Sequence, residues 1–374
     1  MALVLNEEQG LLRDAAKEFC TKNSPVSALR KLRDENNVDG FDSVIWQQMV
    51  ELGWAGILIP EQYGGFEFGY QGMGVVMEEC GRMLVASPLL STSVLCASAL
   101  NLAANHKQKS ALLPKIASGE LLMAMAIEQT AHHAPFTVGC KATQDGDAWL
   151  LRGNKCFVLD GHVAHKIIVS ADTGLAGNDS LALFLVDADA TGVVMERTLM
   201  VDNRNAANIG FDGVSAELLG ELGEGRSALE QVLDIACVAL SAEMLGCARE
   251  AFERTLDYLK EREQFGVVIG SFQALKHRAA EMFSELELSQ SAVMAALTAL
   301  DDQTDDQSAL ASLAKSRLSD TLHLVSNEAV QMFGGIGMTD EHEIGFFMKR
   351  ARVCEQSFGN SAYHRNRYGL LGGY

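Results

Sequence analysis

A stretch of strand-like sequence lies between two helical parts, and this order limits the possible folds more than any other feature. In residues 1–120 apolar residues recur at helical spacing, as they do over 5–19. Residues 121–215 instead carry short apolar runs bounded by turn residues, such as 181–186. Long helical patterns return over 216–374. We therefore predict an α+β protein with an N-terminal helical domain, a middle β domain and a C-terminal helical bundle in these three ranges.

Turn residues and apolar runs predict the local structure of the middle part. Asp145-Gly146 and Asp160-Gly161 are pairs typical of hairpin turns. The runs around them predict short strands, of which the one at 181–186 has no polar alternation and is expected to be buried. The predicted strands cover residues 148–153, 156–159, 166–170 and 181–186.

The C-terminal part predicts four helices, because apolar residues recur at helical spacing over long stretches. Residues 301–306 are acidic and are predicted to form a solvated connector between two of these helices. The glycines between Gly334 and Gly337 are expected to end the third helix. The predicted helices cover residues 228–260, 272–300, 310–333 and 343–358.

Composition excludes several classes of protein. The net charge is -19 and no run of Lys or Arg occurs, which argues against binding to nucleic acid or to an anionic membrane. The eight cysteines stand singly without a C-x-x-C motif, so we expect reduced core thiols in a cytoplasmic protein and no zinc site or other metal centre. We also expect no signal peptide at the N-terminus and no stretch apolar enough to span a membrane.

Five segments carry recognisable motifs: 59–65 (Ile-Pro-Glu-Gln-Tyr-Gly-Gly), 154–161, 262–266 (Arg-Glu-Gln-Phe-Gly), 270–278 and 330–341. Together they resemble the acyl-CoA dehydrogenase family. One motif alone is weak evidence, but their order and spacing along nearly the whole chain are specific. The resemblance implies the fold of that family, with N-terminal helices, a middle β domain and a C-terminal four-helix bundle that forms oligomers.

The resemblance implies that FAD is the cofactor and assigns residues to it. Arg262 is expected on the FAD pyrophosphate of a neighbouring subunit, since an arginine is always charged and donates several hydrogen bonds. The alternative for Arg262 is a surface ion pair. The alternative for the glycines between Gly334 and Gly337 is a plain helix C-cap. Phe265 packs beside Arg262, Gln273 and Gln331 bind the adenosine and ribityl-pyrophosphate parts, and Gly334 and Gly335 allow close approach of the backbone.

Other positions depart from the family pattern. Phe157 and Leu159 stand where most members have a tryptophan and a hydroxyl residue that reaches the flavin N5, and Leu159 cannot donate a hydrogen bond. Only Glu128 survives from the family's Thr-Glu-Pro-x-x-Gly-Ser-Asp loop, although backbone N–H groups of the loop can still bind the flavin pyrimidine. His132 and His133 are interpreted as loop histidines.

The most consequential departure is a missing glutamate. The family usually carries its catalytic base in a Glu-Gly-Thr motif, and this chain has Phe358, Gly359 and Asn360 there. Removing the weakly acidic α-proton of a thioester requires a desolvated, well-placed base. Between residues 232 and 248 the only charged residues are Asp234 and Glu243. Both are therefore candidates, and we predict Glu243.

Glu243 lies on an apolar helix face. Some family members place the base on this helix at the position of Ala236, and Glu243 lies two turns further, about 10 Å along the helix. The surrounding sequence resembles a subgroup that includes the small subunit of pimeloyl-CoA dehydrogenase and the steroid side-chain acyl-CoA dehydrogenases, in which a glutamate here is the expected base. The alternative is a buried glutamate paired with an arginine. The shared face consists of Ala236, Leu240, Glu243 and Cys247.

The resemblance predicts FAD-dependent α,β-desaturation of an acyl-CoA, with electrons passed to an electron-transfer flavoprotein. The displaced base suggests a bulky or dicarboxylic acyl group, as in steroid or dicarboxylate catabolism or fatty acid β-oxidation. We expect a tetramer, homomeric or formed with a second acyl-CoA dehydrogenase subunit. Two alternatives remain: a non-catalytic subunit that completes a partner's FAD site through Arg262, and a flavin oxidase or monooxygenase.

Overall fold

The computed structural model describes residues 4–146, 148–175 and 180–374. They form two compact units, each built from segments that are distant in sequence. The first unit contains residues up to Asp34 together with Tyr70–Val85 and Cys237–Tyr374, and the second contains Glu35–Gly69 and Ala86–Ala236. The α+β class is confirmed, while the three-part division along the chain stays a prediction.

The second unit is built on a seven-stranded sheet. The pairings β4–β2, β2–β3, β3–β7, β7–β5 and β5–β4 form a closed ring, with β1 beside β4 and β6 beside β7. Its core contains Phe184, Ile167, Leu151 and Phe211, all at most 4% exposed. The strands are β1 Met123–Ala126, β2 Lys141–Asp145, β3 Ala148–Leu159, β4 Lys166–Asp172, β5 Leu181–Asp187, β6 Val193–Leu199 and β7 Asn205–Leu219.

Short helices complete the second unit. Asp42 begins α3 by accepting hydrogen bonds from the backbone N–H groups of Val44 and Ile45, which leaves fewer unpaired donors at the helix start. A π-helical segment, Leu89–Cys96, leads directly into α5. The helices are α3 Ser43–Glu51, α5 Ala97–Ala103 and α6 His106–Ala117.

The first unit is helical apart from the two-residue strands β8 and β9. Asn6 and Gln9 form a capping box at the start of α1, because the side chain of each accepts a hydrogen bond from the backbone N–H of the other. The elements are α1 Glu7–Asn23, α2 Val26–Asp34, α4 Gly69–Arg82, β8 Glu263–Gln264, β9 Val267–Val268, α8 Gln273–Asp302, α9 Gln307–Phe333, α10 Ile344–Gln356 and α11 Ser361–Leu371, together with α7, Gly225–Glu261, from Cys237 onward.

Helix α7 is the long central element. It is 37 residues long and apolar enough to cross a membrane by length and composition, so the expectation of no such stretch is wrong. Within its most apolar 18-residue window 94% is buried inside the protein, which is the setting of a core helix. Burial in the fold therefore accounts for its composition.

Two glycines bring the backbones of α4 and α7 together inside the first unit. A Cβ atom on Gly81 would lie 2.0 Å from the carbonyl oxygen of Glu243, and one on Gly246 would lie 1.8 Å from the carbonyl oxygen of Glu78. Any side chain at these positions would push the helices apart. The crossing therefore fixes the backbone of Glu243 against α4.

Local predictions succeed where the pattern is long and strong. The four predicted C-terminal helices correspond to α7–α10, and the Asp145-Gly146 turn joins the paired strands β2 and β3. Residues 148–153 and 156–159 are wrongly separated, because both belong to β3, whose pairing with β7 is shifted between Lys155 and Val158. Asp160-Gly161 does not form a hairpin turn but leads into a 3-10 turn.

The acidic connector is partly wrong. The helix α8 continues to Asp302, and the carboxylate of Asp301 accepts hydrogen bonds from the backbone N–H groups of Tyr70 and Gln71 at 2.6 and 3.0 Å. One of the six residues is therefore a structural acceptor that holds the start of α4, while Asp302, Asp305 and Asp306 are exposed.

Candidate functional site

The carboxylate of Glu243 is bound by a buried arginine. Arg350, on α10, donates from Nε to Glu243 Oε1 at 3.0 Å and from its Nη2 to Oε2 at 3.1 Å. Glu243 is 2% exposed and Arg350 5% exposed. A bidentate pair of this kind fixes the orientation of both groups and stabilises the carboxylate anion, while burial opposes the charge.

The apolar face predicted around Glu243 is present. Ala236, Leu240 and Cys247 are completely buried, and Glu243 lies among them on α7. Asp234, the other candidate for the base, is 3% exposed and belongs to the second unit. Burial therefore does not separate the two acids.

The turn at Phe358 combines a left-handed backbone with a helix cap and carries no acid. Phe358 has φ +57° and Gly359 has φ +100°, a left-handed backbone that favours glycine at the second position. Asn360 is the N-cap of α11, and its side chain accepts a hydrogen bond from Tyr363 N. The turn therefore has the glycine of the Glu-Gly-Thr pattern and a helix cap, while Phe358 and Asn360 stand in place of the glutamate and the threonine.

A buried lysine is hydrogen-bonded to the backbone of this turn. Lys315 is 0% exposed, and its Nζ donates to the carbonyl oxygen of Gly359 at 2.9 Å and to that of Glu355 at 3.3 Å. Burial lowers the pKa of this ammonium group. His364 Nε2 lies 2.9 Å from the carbonyl oxygen of Phe358. The backbone of the turn is thus fixed by side chains from α9 and α11.

The residues predicted to bind FAD in the first unit are exposed donors. Arg262 follows the end of α7, Gln273 begins α8, and Gln331 lies near the end of α9. Within the described ranges none of these three side chains makes a hydrogen bond or an ion pair, so the expected alternative of a surface ion pair for Arg262 is not seen. A guanidinium and two carboxamides form a donor set that fits a pyrophosphate and a polyol chain.

The backbone beside Gln331 is open. Gly334 has φ +67°, and a Cβ atom on Gly334 or Gly335 would meet nothing within 4 Å. Phe265, at the turn between β8 and β9, is 91% exposed and has φ +55°. An exposed aromatic side chain three residues after Arg262 suits a cofactor or subunit contact. These residues fit FAD.

In the second unit, the loop at 127–134 and strand β3 hold the other predicted cofactor residues. Glu128 is bound by His133, and Phe157 lies at the shifted pairing of β3 with φ +53°. Leu159 is the last residue of β3 and pairs with Ala206 of β7. Cys156 N of β3 donates to the carbonyl oxygen of Glu128 at 3.0 Å, so the loop and the strand are neighbours.

Three functional candidates escaped sequence reasoning. The partners of Glu243 and of the Phe358 turn, Arg350 and Lys315, lie more than 40 residues away in sequence, and no local pattern predicts such pairs. His133 was interpreted as a loop histidine, but its ring is paired with Glu128. The spacing of five residues between Glu128 and His133 in one loop was the available signal for this pair.

Family models match most of the chain. The N-terminal, middle and C-terminal domains of acyl-CoA dehydrogenase match residues 6–120, 128–214 and 223–369. The order and extent of these matches agree with the sequence resemblance.

Curated relatives and solved structures agree with the family models. Isovaleryl-CoA dehydrogenase from Solanum tuberosum is 27% identical, over 97% of this chain and 90% of its own. Cyclohex-1-ene-1-carbonyl-CoA dehydrogenase from Syntrophus aciditrophicus is 28% identical, over 96% and 89%. A variant of the Tcur3481–Tcur3483 steroid ACAD is 32% identical with a TM-score of 0.90, covering 98% of both chains.

The fold, the exposed donor set and these matches lead to one conclusion. The three family models together cover well over half of the chain, and the similarity to the relatives extends over nearly its whole length. FAD is the cofactor of this family, and the residues described above fit it. This chain belongs to the acyl-CoA dehydrogenase family and is an FAD-dependent oxidoreductase.

Proposed function

We propose that this chain desaturates an acyl-CoA between its α and β carbons, with Glu243 as the base. The observation that carries the proposal is the buried, oriented carboxylate of Glu243 on α7. The missing acid of the Phe358 turn leaves the reaction without its usual base, and Glu243 is a carboxylate in the dry, rigid setting that the step needs.

Each residue of the pair has a separate role in this proposal. A carboxylate oxygen of Glu243 takes the α-proton of the thioester, while FAD, when bound, supplies the acceptor for the hydride from the β-carbon. Arg350 binds both carboxylate oxygens of Glu243 and prevents rotation of the group.

The proposed substrate is a bulky, cyclic or dicarboxylic acyl-CoA. A base two turns along α7 from the position of Ala236 moves the place of the substrate α-carbon by about 10 Å along the helix. The names of the cyclohexene-carbonyl and steroid relatives support acyl groups of this size. We propose steroid or dicarboxylate catabolism, in the cytoplasm, with an electron-transfer flavoprotein as electron acceptor and a tetramer as the assembly.

A second candidate is a non-catalytic subunit that completes the FAD site of a partner through Arg262. It is favoured by the closed pair of Glu243 and Arg350, because an acid held by two hydrogen bonds also has a purely structural explanation. A flavin oxidase or monooxygenase is the third candidate, and rapid reoxidation of the reduced flavin by oxygen would distinguish it.

The test is anaerobic titration of the purified protein with a panel of acyl-CoA thioesters. With Glu243 as base, the yellow flavin bleaches with a bulky substrate, and Glu243→Gln slows the bleaching by about 100- to 10,000-fold with FAD still bound. Asp234→Asn is the matched control and should bleach at close to the rate of the unaltered protein.

Two results would overturn the proposal. Unchanged bleaching in Glu243→Gln would exclude this residue as the base, and a correspondingly large loss in Asp234→Asn would transfer the role. A chain that is colourless when purified alone, and gains flavin only with a second dehydrogenase subunit, would favour the non-catalytic candidate. Circular dichroism and thermal melting of each variant separate a lost base from a lost fold.

A further inference from the structure

Strand β3 is hydrogen-bonded to the first residues of the loop at 127–134 in the second unit. Lys155 Nζ donates to the carbonyl oxygen of Ile127 at 2.8 Å, and Cys156 N donates to that of Glu128 at 3.0 Å. Cys156 Sγ donates to the carbonyl oxygen of Thr130 at 3.1 Å. The first half of the loop is therefore tied to the strand that also carries Phe157.

A histidine and an acid brace the second half. His133 Nδ1 donates to one carboxylate oxygen of Glu128, and Ala134 N donates to the other at 3.2 Å. The His133 and Glu128 side chains are only 7% and 14% exposed, so water competes weakly with this pair. Both carboxylate oxygens of Glu128 accept hydrogen bonds from within the loop. Glu128 therefore helps to fix the shape of the loop.

The loop between these two attachments has unused backbone donors. The N–H groups of Gln129, Thr130 and Ala131 donate to no acceptor among the residues that the structure describes. Three successive free N–H groups in a curved segment form a site suited to a carbonyl or anionic acceptor. The hydroxyl residues that the family carries in this loop are absent, so loop shape depends on other groups.

We propose that His133 is a positioning residue for FAD. Through Glu128 it fixes the curve of the loop, so that the free N–H groups of Gln129 to Ala131 are presented to the carbonyl oxygens of the flavin pyrimidine ring. The chain thereby replaces lost side-chain hydroxyls by an internal acid–histidine brace. The inference rests on FAD as the cofactor and does not depend on Glu243.

Apoprotein titrated with FAD tests the proposal without any turnover. His133→Leu should weaken FAD binding by about tenfold or more, because it removes a hydrogen bond to a charged partner. It should also shift the visible absorption bands of the bound flavin. His133→Gln keeps a donor toward Glu128 and should restore both properties to within about threefold.

The adjacent His132 provides the matched control. It is exposed, and its contacts in the loop are made by its backbone, so His132→Leu should leave FAD affinity and the flavin spectrum unchanged. Hydrogen exchange at residues 129–134 should quicken in His133→Leu alone. A His133→Leu protein with a lower melting temperature but unchanged FAD affinity and spectrum would show a merely structural residue and overturn the proposal.

Discussion

The turn at Phe358 and the pair of Glu243 and Arg350 both lie in the first unit, but one has an ordered backbone without an acid and the other has an acid with a cation bound to it. The turn keeps its left-handed glycine, its helix cap and its buried lysine, yet it has no acid. The helix position has an acid and an arginine that holds it. The comparison teaches that backbone shape and chemical function can be separated in one protein.

The two places also differ in how their charge is balanced. Lys315 donates to two backbone carbonyl oxygens and to the hydroxyl of Ser319, and burial lowers its pKa. Glu243 has a full positive charge beside it. The lysine at the turn is therefore held by neutral acceptors, whereas the acid on α7 is held by an opposite charge.

The largest expected effect follows from removing the arginine. Arg350→Met leaves Glu243 buried without its cation, which should destabilise the protein by about 3–5 kcal/mol. Urea denaturation measures this change. The double variant Glu243→Gln with Arg350→Met removes the stranded charge and should recover much of the loss. A single-variant loss below about 1 kcal/mol would mean that the pair is not important for stability.

Restoring an acid to the turn tests whether its shape still suits catalysis. In a Glu243→Gln background, Phe358→Glu should raise the rate of flavin reduction by about 10- to 100-fold, because it returns a carboxylate to the position where the resemblance places the family's usual base. Stopped-flow absorption at the flavin band gives the rate. Phe358→Gln in the same background is the control, and an equal gain with glutamine would contradict an acid–base explanation.

A smaller effect is expected at the helix cap of the turn. Asn360→Ala removes the acceptor for Tyr363 N and should cost about 1 kcal/mol, whereas Asn360→Thr keeps an acceptor and should cost less. Thermal melting of the two variants gives the comparison. Equal melting temperatures for the alanine and threonine variants would show that the cap contributes nothing and that Lys315 and His364 hold the turn.

The smallest effect concerns Glu79, a buried acid in the same unit that lacks a bidentate partner. Burial raises its pKa from 4.5 to about 7, although Arg82 acts against the shift. Because the folded protein binds this proton more tightly than the unfolded chain, stability conferred by protonated Glu79 is lost as pH rises from about 4.5 to 7.

Glu79→Gln should therefore stabilise the protein at pH 8, by about 1 kcal/mol after allowance for solvent screening, and have little effect at pH 4.5. Melting temperatures at the two pH values test this. The exposed Glu8→Gln is a control that should show no such difference. If Glu79→Gln changed the melting temperature by the same amount at both pH values, the raised pKa of Glu79 would not be the cause.

Long patterns carried most of the correct prediction. The apolar run of α7 over residues 232–248 is long because this part of the helix is buried on nearly all sides, and Asp234 and Glu243, the only charged residues in it, are conspicuous for that reason. Strand β7 was missed because Gly210 and Gly213 interrupt its pattern, and Gly213 has φ +66°. Short strands such as β1 have too few residues to show a period.

The candidate site was predictable only in part. Sequence reasoning reached Glu243, the Phe358 turn and the exposed Arg262 because each lies in a recognisable local motif. It could not reach Arg350, since the contact joins residues 107 apart in sequence. Tertiary pairing of this kind depends on how α7 and α10 pack, which no local pattern encodes.

The central claim, that Glu243 removes the α-proton, can be tested without complete turnover. An acyl-CoA with sulfur in place of its β-carbon has no hydride to transfer, so exchange of its α-protons with D2O reports proton removal alone and can be followed by NMR. The account predicts exchange catalysed by the FAD-loaded protein and an at least about 100-fold slower rate in Glu243→Gln. Equal exchange rates in the two proteins would contradict it.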